Sequence, residues 1–260
     1  YKNVNSDVYV LAWTTTPSTL PSNTALAVGP KIQYIQVETF NPYNGEPLSV
    51  VLAKDLQNVY FNPENASIQF EDYKPGDKKI PFKVVAEFKG TNLVDIRYEQ
   101  LFPWVKPEGD AFRVITGDYY TTDYDRVAKT SRISPHIFRD KLSNPEPMVD
   151  RTGKFYAIEN LDETFVTSSV NVDFYKEFAG RFVKNEYDPN PPADGTSLDI
   201  DLCVWLKKEN KAFKIEKHTH NYPHCWRTDK PILYYPLDSW FIRTTALKER
   251  MMKLNETINW

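Results

Sequence analysis

Thr14-Thr15-Thr16-Pro17-Ser18-Thr19-Leu20-Pro21-Ser22-Asn23 places six hydroxyls and one carboxamide within ten residues. The stretch follows Val8-Tyr9-Val10-Leu11-Ala12-Trp13, a continuous, aromatic-rich apolar run stopped by proline, which reads as a buried strand. The hydroxyls therefore crowd a strand end and the loop after it. There they can hydrogen-bond a polar ligand without contributing charge. Threonines in such places also serve strand propensity and local turn bonding, so the cluster alone does not name a chemistry.

The 260 residues, 41% of them apolar, suffice for one large core or two small ones. Aromatics make up 14% while glycine is scarce at 9 and proline reaches 19, a mixture that suits a sheet-rich body with stiff connections. A net charge of -3 excludes a globally basic surface, so any RNA contact would rest on local patches. Cys203 and Cys225 are too few for a disulfide framework, and a reducing cytoplasmic setting is expected. No apolar run approaches the roughly 20 residues of a membrane span, and no signal peptide opens the chain. A first residue of Tyr1, directly before a strand pattern, reads as a fragment of a longer protein.

Residues 8–13, 32–38, 48–53, 82–88 and 111–116 read as strands from their Val, Ile, Tyr and Phe content. Asn41-Pro42-Tyr43-Asn44-Gly45 and Lys74-Pro75-Gly76-Asp77 supply turns. Helical patterns come late, over 162–184, over 197–209 with Leu198, Cys203 and Leu206 on one side, and over 244–258. In the last of these, Leu247, Met251, Leu254 and Ile258 repeat at helical spacing. Residues 212–215 and 232–235 read as further strands. The expected architecture is mostly β with peripheral helices around a barrel-like core.

The threonine stretch resembles the editing peptide of the insertion domain of isoleucyl-tRNA synthetases, whose pattern is T-T-T-P-W-T-L-P-x-N. Valyl and leucyl relatives carry arginine third in T-T-x-P, so Thr16 points to the isoleucyl branch. Later segments resemble that insertion in the same order. They are Val84-Val85-Ala86-Glu87-Phe88-Lys89-Gly90 with Tyr98-Glu99-Gln100-Leu101-Phe102-Pro103, then Met148-Val149-Asp150-Arg151-Thr152-Gly153-Lys154-Phe155, then His224-Cys225-Trp226-Arg227 onward to Ser239-Trp240-Phe241 and Thr245-Ala246-Leu247-Lys248. The resemblance spans nearly the whole chain. It implies a closed β-barrel core of the Val/Ile/Leu editing-domain type over 1–222, and a return segment toward a catalytic domain over 223–260. The H-I-G-H and K-M-S-K-S signatures, which serve ATP in the full enzyme, are absent, so amino-acid activation is not expected.

Two departures stand out. Ser18 replaces the family's tryptophan, which would enlarge or loosen one wall of the pocket. The second signature, G-T-G-x-V-H-x-A-P-x-x-G-x-D-Y, should follow Gly117-Asp118-Tyr119-Tyr120-Thr121-Thr122, yet only its terminal Asp-Tyr survives, as Asp123-Tyr124, with Asp125 the alternative register. Either the loop has been deleted or the sequence closes over a mobile loop that is left out. The mobility of active-site loops favours the second account.

What the resemblance implies is hydrolysis of the ester of valine mischarged onto tRNA(Ile). Valine lacks one methylene of isoleucine, a difference worth about 1–3 kcal/mol in a tight pocket, as established on this same enzyme class. A second, smaller pocket removes the errors that remain. Thr15, Thr16, Thr19 and Asn23 would be catalytic, bringing hydroxyls to the ester, the ribose and the attacking water, with the Asn23 carboxamide for the terminal nucleotide or the oxyanion. Thr14, Asp123 and Tyr124 would bind substrate, Asp123 gripping the α-ammonium. Implied partners are the acceptor end of tRNA(Ile) carrying valine and the remainder of the synthetase. No cofactor and no metal are implied.

Two other readings compete. One is a non-catalytic insertion that binds the tRNA acceptor through a degraded pocket. The other is a metallohydrolase built on His218, His220, His224 and Cys225, since imidazole and thiolate suit zinc. Relatives with a C-W-R-C pair have a second cysteine where this chain offers Thr228 or Asp229, which weighs against zinc.

Overall fold

The computed structural model describes residues 7–107, 109–117, 131–132, 148–219, 221–233 and 242–259. Its larger sheet joins β1 (Val8–Val10), β3 (Gln33–Phe40), β4 (Pro47–Ala53) and β5 (Lys83–Lys89) in the order β1-β4-β3-β5. β1 runs parallel to β4, while β3 is antiparallel to both β4 and β5. β4 is buried at every position but its first because Val50, Val51 and Leu52 are covered on both faces. The β3–β4 turn closes through Asn41, whose carbonyl accepts from Gly45 at 2.9 Å and whose side-chain oxygen accepts from the Tyr43 amide at 2.7 Å. Gly45 there takes φ +75°, a conformation that a side chain resists.

The smaller sheet has the order β6-β2-β7. Its centre is the wholly buried β2 (Ala25–Val28), flanked by a parallel β6 (Arg113–Thr116) and an antiparallel β7 (Ser131–Arg132). The sequence reading missed β2, whose two alanines carry little strand signal.

The expectation of a mostly β chain with a closed barrel is overturned. Among the described residues neither sheet closes, and helical turns outnumber strands. A barrel needs an unbroken ring of staggered ladders. Here β1 is three residues long, β2 and β6 four and β7 two, and β1 and β5 each have a single ladder neighbour. Residues 212–215 likewise form no strand, and Phe213 instead packs its ring against Phe61 at 5.8 Å.

Two apolar clusters fill the interior. One lies at the sheets and contains Leu26, Val28, Ile35, Val37, Val50 and Leu52, with Leu56 beside the one-turn α1 (Gln57–Tyr60). The other is aromatic: the Trp104 ring meets Phe155 edge-on at 5.5 Å and lies over Phe178 at 4.6 Å. The helical pattern over 162–184 resolves into two short helices, α2 (Glu163–Ser169) and α3 (Val172–Tyr175), the latter burying Tyr175 in the aromatic cluster. α4 (Leu198–Lys208) starts at the Ser197 cap, with acids in its first turn and lysines in its last, as its dipole favours. It buries Leu198, Leu202 and Leu206, so Leu202 rather than Cys203 completes the inner stripe. α5 (Thr244–Asn255) leaves Leu247, Met251 and Leu254 exposed. No described helix is long and apolar enough to cross a membrane.

Two close features hold the parts in register. Gly90, at the end of β5, donates its amide to the Ile32 carbonyl at 2.9 Å, and a Cβ on it would stand 2.1 Å from the Gly29 carbonyl oxygen, just past β2. Asp150 closes a turn under Phe155, its carboxylate accepting from the Thr152 amide at 2.8 Å, the Thr152 hydroxyl at 2.6 Å and the Lys154 amide at 3.0 Å. Partial burial pushes the Asp150 pKa up, but these hydrogen bonds and the Lys154 charge outweigh it and hold the carboxyl below its ordinary value.

Gly90→Ala is expected to destabilise the fold by about 1–3 kcal/mol, read as a lower urea midpoint at unchanged slope. The Asp150 contribution is present above the unfolded pKa of about 3.9 and is lost as pH falls through the lower folded value. Asp150→Asn should therefore flatten the acid limb of a melting-temperature profile taken from about pH 6 to about pH 2.

Candidate functional site

The threonine stretch connects the two sheets. β1 ends at Val10, the Leu11 amide still reaches the Val51 carbonyl at 2.9 Å, and β2 begins at Ala25. Between them Pro17–Ser22 winds into a 3-10 turn, for which Pro17 supplies a preset φ at the first position. The Thr16 carbonyl accepts from both the Thr19 amide at 3.1 Å and the Thr19 hydroxyl at 2.7 Å. Ser22 donates its hydroxyl to the Thr19 carbonyl at 2.8 Å, and Thr14 accepts the Thr16 amide on its hydroxyl oxygen at 3.0 Å. Half of the hydroxyls thus stitch the turn together. Among the described residues the Thr15 and Thr16 hydroxyls make no hydrogen bond, and both residues are half-buried.

Asn23 closes the turn. It is buried, its amide nitrogen donates to the Ala25 carbonyl at 2.9 Å, and its side-chain oxygen accepts the Tyr98 hydroxyl at 2.6 Å. Tyr98 is in turn held by its own amide on the Phe112 carbonyl at 3.0 Å, and Phe112 reaches back to the Thr24 carbonyl at 2.7 Å. Burial drives the Tyr98 phenol pKa well up, so the group stays a proton donor to Asn23 at all physiological pH.

Ser18 is buried where the 3-10 turn packs on α4, and its amide donates to Asp199 Oδ1 at 2.6 Å. The other oxygen of Asp199 takes Lys184 Nζ at 2.9 Å. The Ser18 hydroxyl has no partner among the described residues.

Asp123 and Tyr124, with the alternative Asp125, lie outside the described residues, as does His220. His218 stands edge-on to Trp13 at 5.7 Å, and His224 Nδ1 lies 2.7 Å from the Tyr222 carbonyl. Among the described residues no three His, Cys, Asp or Glu side chains converge in metal-binding spacing. An open depression beside α2, lined by Glu163, Thr164, Thr167 and Ser168, contains none of the expected site residues.

No family model matches the chain. An isoleucine--tRNA ligase of Bacteroides fragilis is 60% identical over 267 residues, which takes in 97% of this chain and 23% of that protein. Over 97% of its length the chain is homologous to a segment of isoleucine--tRNA ligases. A second isoleucine--tRNA ligase, from Bacteroides thetaiotaomicron, is 55% identical over 288 residues, with 97% of this chain and 25% of its own length aligned. One from Clostridium novyi is 38% identical over 257 residues, 97% of this chain and 20% of that protein. The chain thus spans about a quarter or less of the length of these synthetases. A solved structure titled as the CP1 of GlLeuRS aligns with 82% of this chain and 86% of its own at 14% identity and a TM-score of 0.44, too low for a shared fold to follow. Aligned spans of 267 and 288 residues exceed the 260 of this chain, so the two Bacteroides synthetases carry residues that have no counterpart here.

The threonine peptide is held by residues to which sequence patterns gave no site role. Tyr98, Lys184 and Asp199 lie far from it along the chain. Asp199 reads locally as an acid complementing the α4 dipole, and only the tertiary fold reveals its partner. Tyr98→Phe leaves the Asn23 oxygen buried and unpaired. It should cost about 1–3 kcal/mol in urea unfolding and raise amide exchange across residues 23–25.

Proposed function

We propose that this chain is a hydrolytic editing insertion that clears valine from mischarged tRNA(Ile). The observation that carries the reading is a segment homologous to isoleucine--tRNA ligases in which, among the described residues, the Thr15 and Thr16 hydroxyls make no hydrogen bond on a turn braced by the hydroxyls of Thr14, Thr19 and Ser22. In this reading they orient the attacking water and contact the ribose, while their γ-methyls narrow the space beside the ester. Neither is a strong base, so catalysis rests on placing a water against an activated ester rather than on a covalent intermediate. The Thr19 hydroxyl gives its proton to the Thr16 carbonyl and keeps its lone pairs for a donor on the substrate. The Asn23 oxygen is taken by Tyr98, so its second N–H is the group left to meet an oxyanion or the terminal nucleotide. Asp123 is assigned to the substrate α-ammonium, and Thr14 and Tyr124 to substrate binding. The reaction calls on no cofactor and no metal. The partners are the valyl acceptor end of tRNA(Ile) and the remainder of the synthetase.

A second reading, a tRNA-acceptor-binding insertion that does not hydrolyse, draws on the missing second signature. Incubation of the 260-residue chain with valyl- and isoleucyl-tRNA(Ile) separates the two. Editing predicts fast loss of the valyl ester alone, and equal slow decay of both esters would count against it. Thr16→Arg fills the space beside the ester with a long charged side chain. Because the Thr16 hydroxyl makes no hydrogen bond among the described residues, the variant should fold normally while valine clearance falls about 100-fold or more. Unchanged clearance removes Thr16 from the site.

A further inference from the structure

We propose that Asp199 is a positioning residue for the threonine turn, holding it on α4 through the Ser18 amide so that Thr15 and Thr16 keep one orientation. The inference rests on the editing reading above for its functional consequence, and on the geometry alone for the anchoring.

An aspartate in the first turn of a helix ordinarily faces that helix's own free amides. In α4 the Ser197 side chain already accepts the Ile200 amide, and its carbonyl accepts the Asp201 amide at 3.1 Å. Asp199 turns outward instead. One oxygen takes the Ser18 amide at 2.6 Å, 181 positions away in sequence, and the other takes Lys184 at 2.9 Å. The pair is sheltered, with the Lys184 side chain 16% and the Asp199 side chain 25% exposed, so its interactions are screened less than surface ones. Lys184 is itself steadied over the Tyr222 ring at 5.1 Å.

The location of this contact gives it leverage. The Ser18 amide lies one bond past Pro17, and the carbonyl of Thr16 is the acceptor that starts the turn. The far end is tied separately through Asn23 to Tyr98. With β1 held on one side and Ser18 on the other, the Thr15–Thr16 segment between them has little freedom. Releasing the Ser18 end frees it, while β1 and β2 stay in their sheets.

The test uses the 260-residue chain with Asp199→Ala, Asp199→Asn and Lys184→Gln, reading amide exchange and ester clearance together. Asp199→Ala should speed exchange of the Ser18 amide about tenfold, the scale of one charge-assisted hydrogen bond, without changing exchange at Val50 or Leu202. Valyl-tRNA(Ile) clearance should fall by a similar factor in kcat with KM nearly unchanged. Asp199→Asn keeps an acceptor for Ser18 and should restore most of both, while Lys184→Gln should fall between. Unchanged Ser18 exchange in Asp199→Ala overturns the proposal. So does a loss of clearance that tracks accelerated exchange throughout the core, or one that the asparagine does not rescue. If the unaltered chain hydrolyses neither ester, the editing reading fails, and the Ser18 exchange still decides whether Asp199 anchors the turn.

Discussion

Residues 11–24 have to carry the chain from the edge of one sheet to the centre of the other, and the hydrogen bonds of that crossing organise what lies around it. β1 fixes its start by pairing with β4, and β2 fixes its end by sitting between β6 and β7. A loose crossing would leave buried amides and hydroxyls unpaired in a region where Ser18, Asn23 and Thr24 are all buried. The 3-10 turn answers this with local bonds and the Tyr98 and Asp199 contacts with distant ones, while the Ser18 hydroxyl stays without a partner among the described residues.

Those two distant contacts come from different parts of the interior. Tyr98 packs against the cluster at the sheets, whereas α4 belongs to the aromatic cluster around Trp104. Leu20, inside the turn, packs against the aromatic cluster as well. The threonine turn is therefore tied to both apolar clusters. Side chains placed there are held by both cores and still reach solvent, a reasonable setting for groups that must stay oriented while a substrate comes and goes.

Strand-forming composition marked β1, β3, β4, β5 and β6 in the sequence, and helical spacing marked α4 and α5. That the described sheets stay open was not legible, and a closed barrel was expected in their place, because ladder length and edge pairing depend on contacts that composition does not encode. β2 escaped notice for a local reason: Ala25 and Ala27 have too little side chain to signal a strand, yet small size is what lets them be fully buried at the centre of a sheet. For the site, the hydroxyl cluster announced itself and its supports did not. Ser18 shows the gap most clearly. Read along the chain it is a shrunken pocket wall, and in three dimensions it is the residue whose amide joins the turn to α4.

An open sheet has a cost that a cylinder avoids, since its outermost strand presents peptide groups to any other extended chain. Among the described residues β5 is one of the two edge strands of the larger sheet, and it shows Val84 and Val85 at 39% exposure each. Lysines begin and end it, and Glu87 in its middle pairs with Lys54 at 2.7 Å. Strand addition by a second molecule would bring like charges together along this rim. Along this edge it is a few ionised groups at the border, rather than the topology, that oppose strand addition.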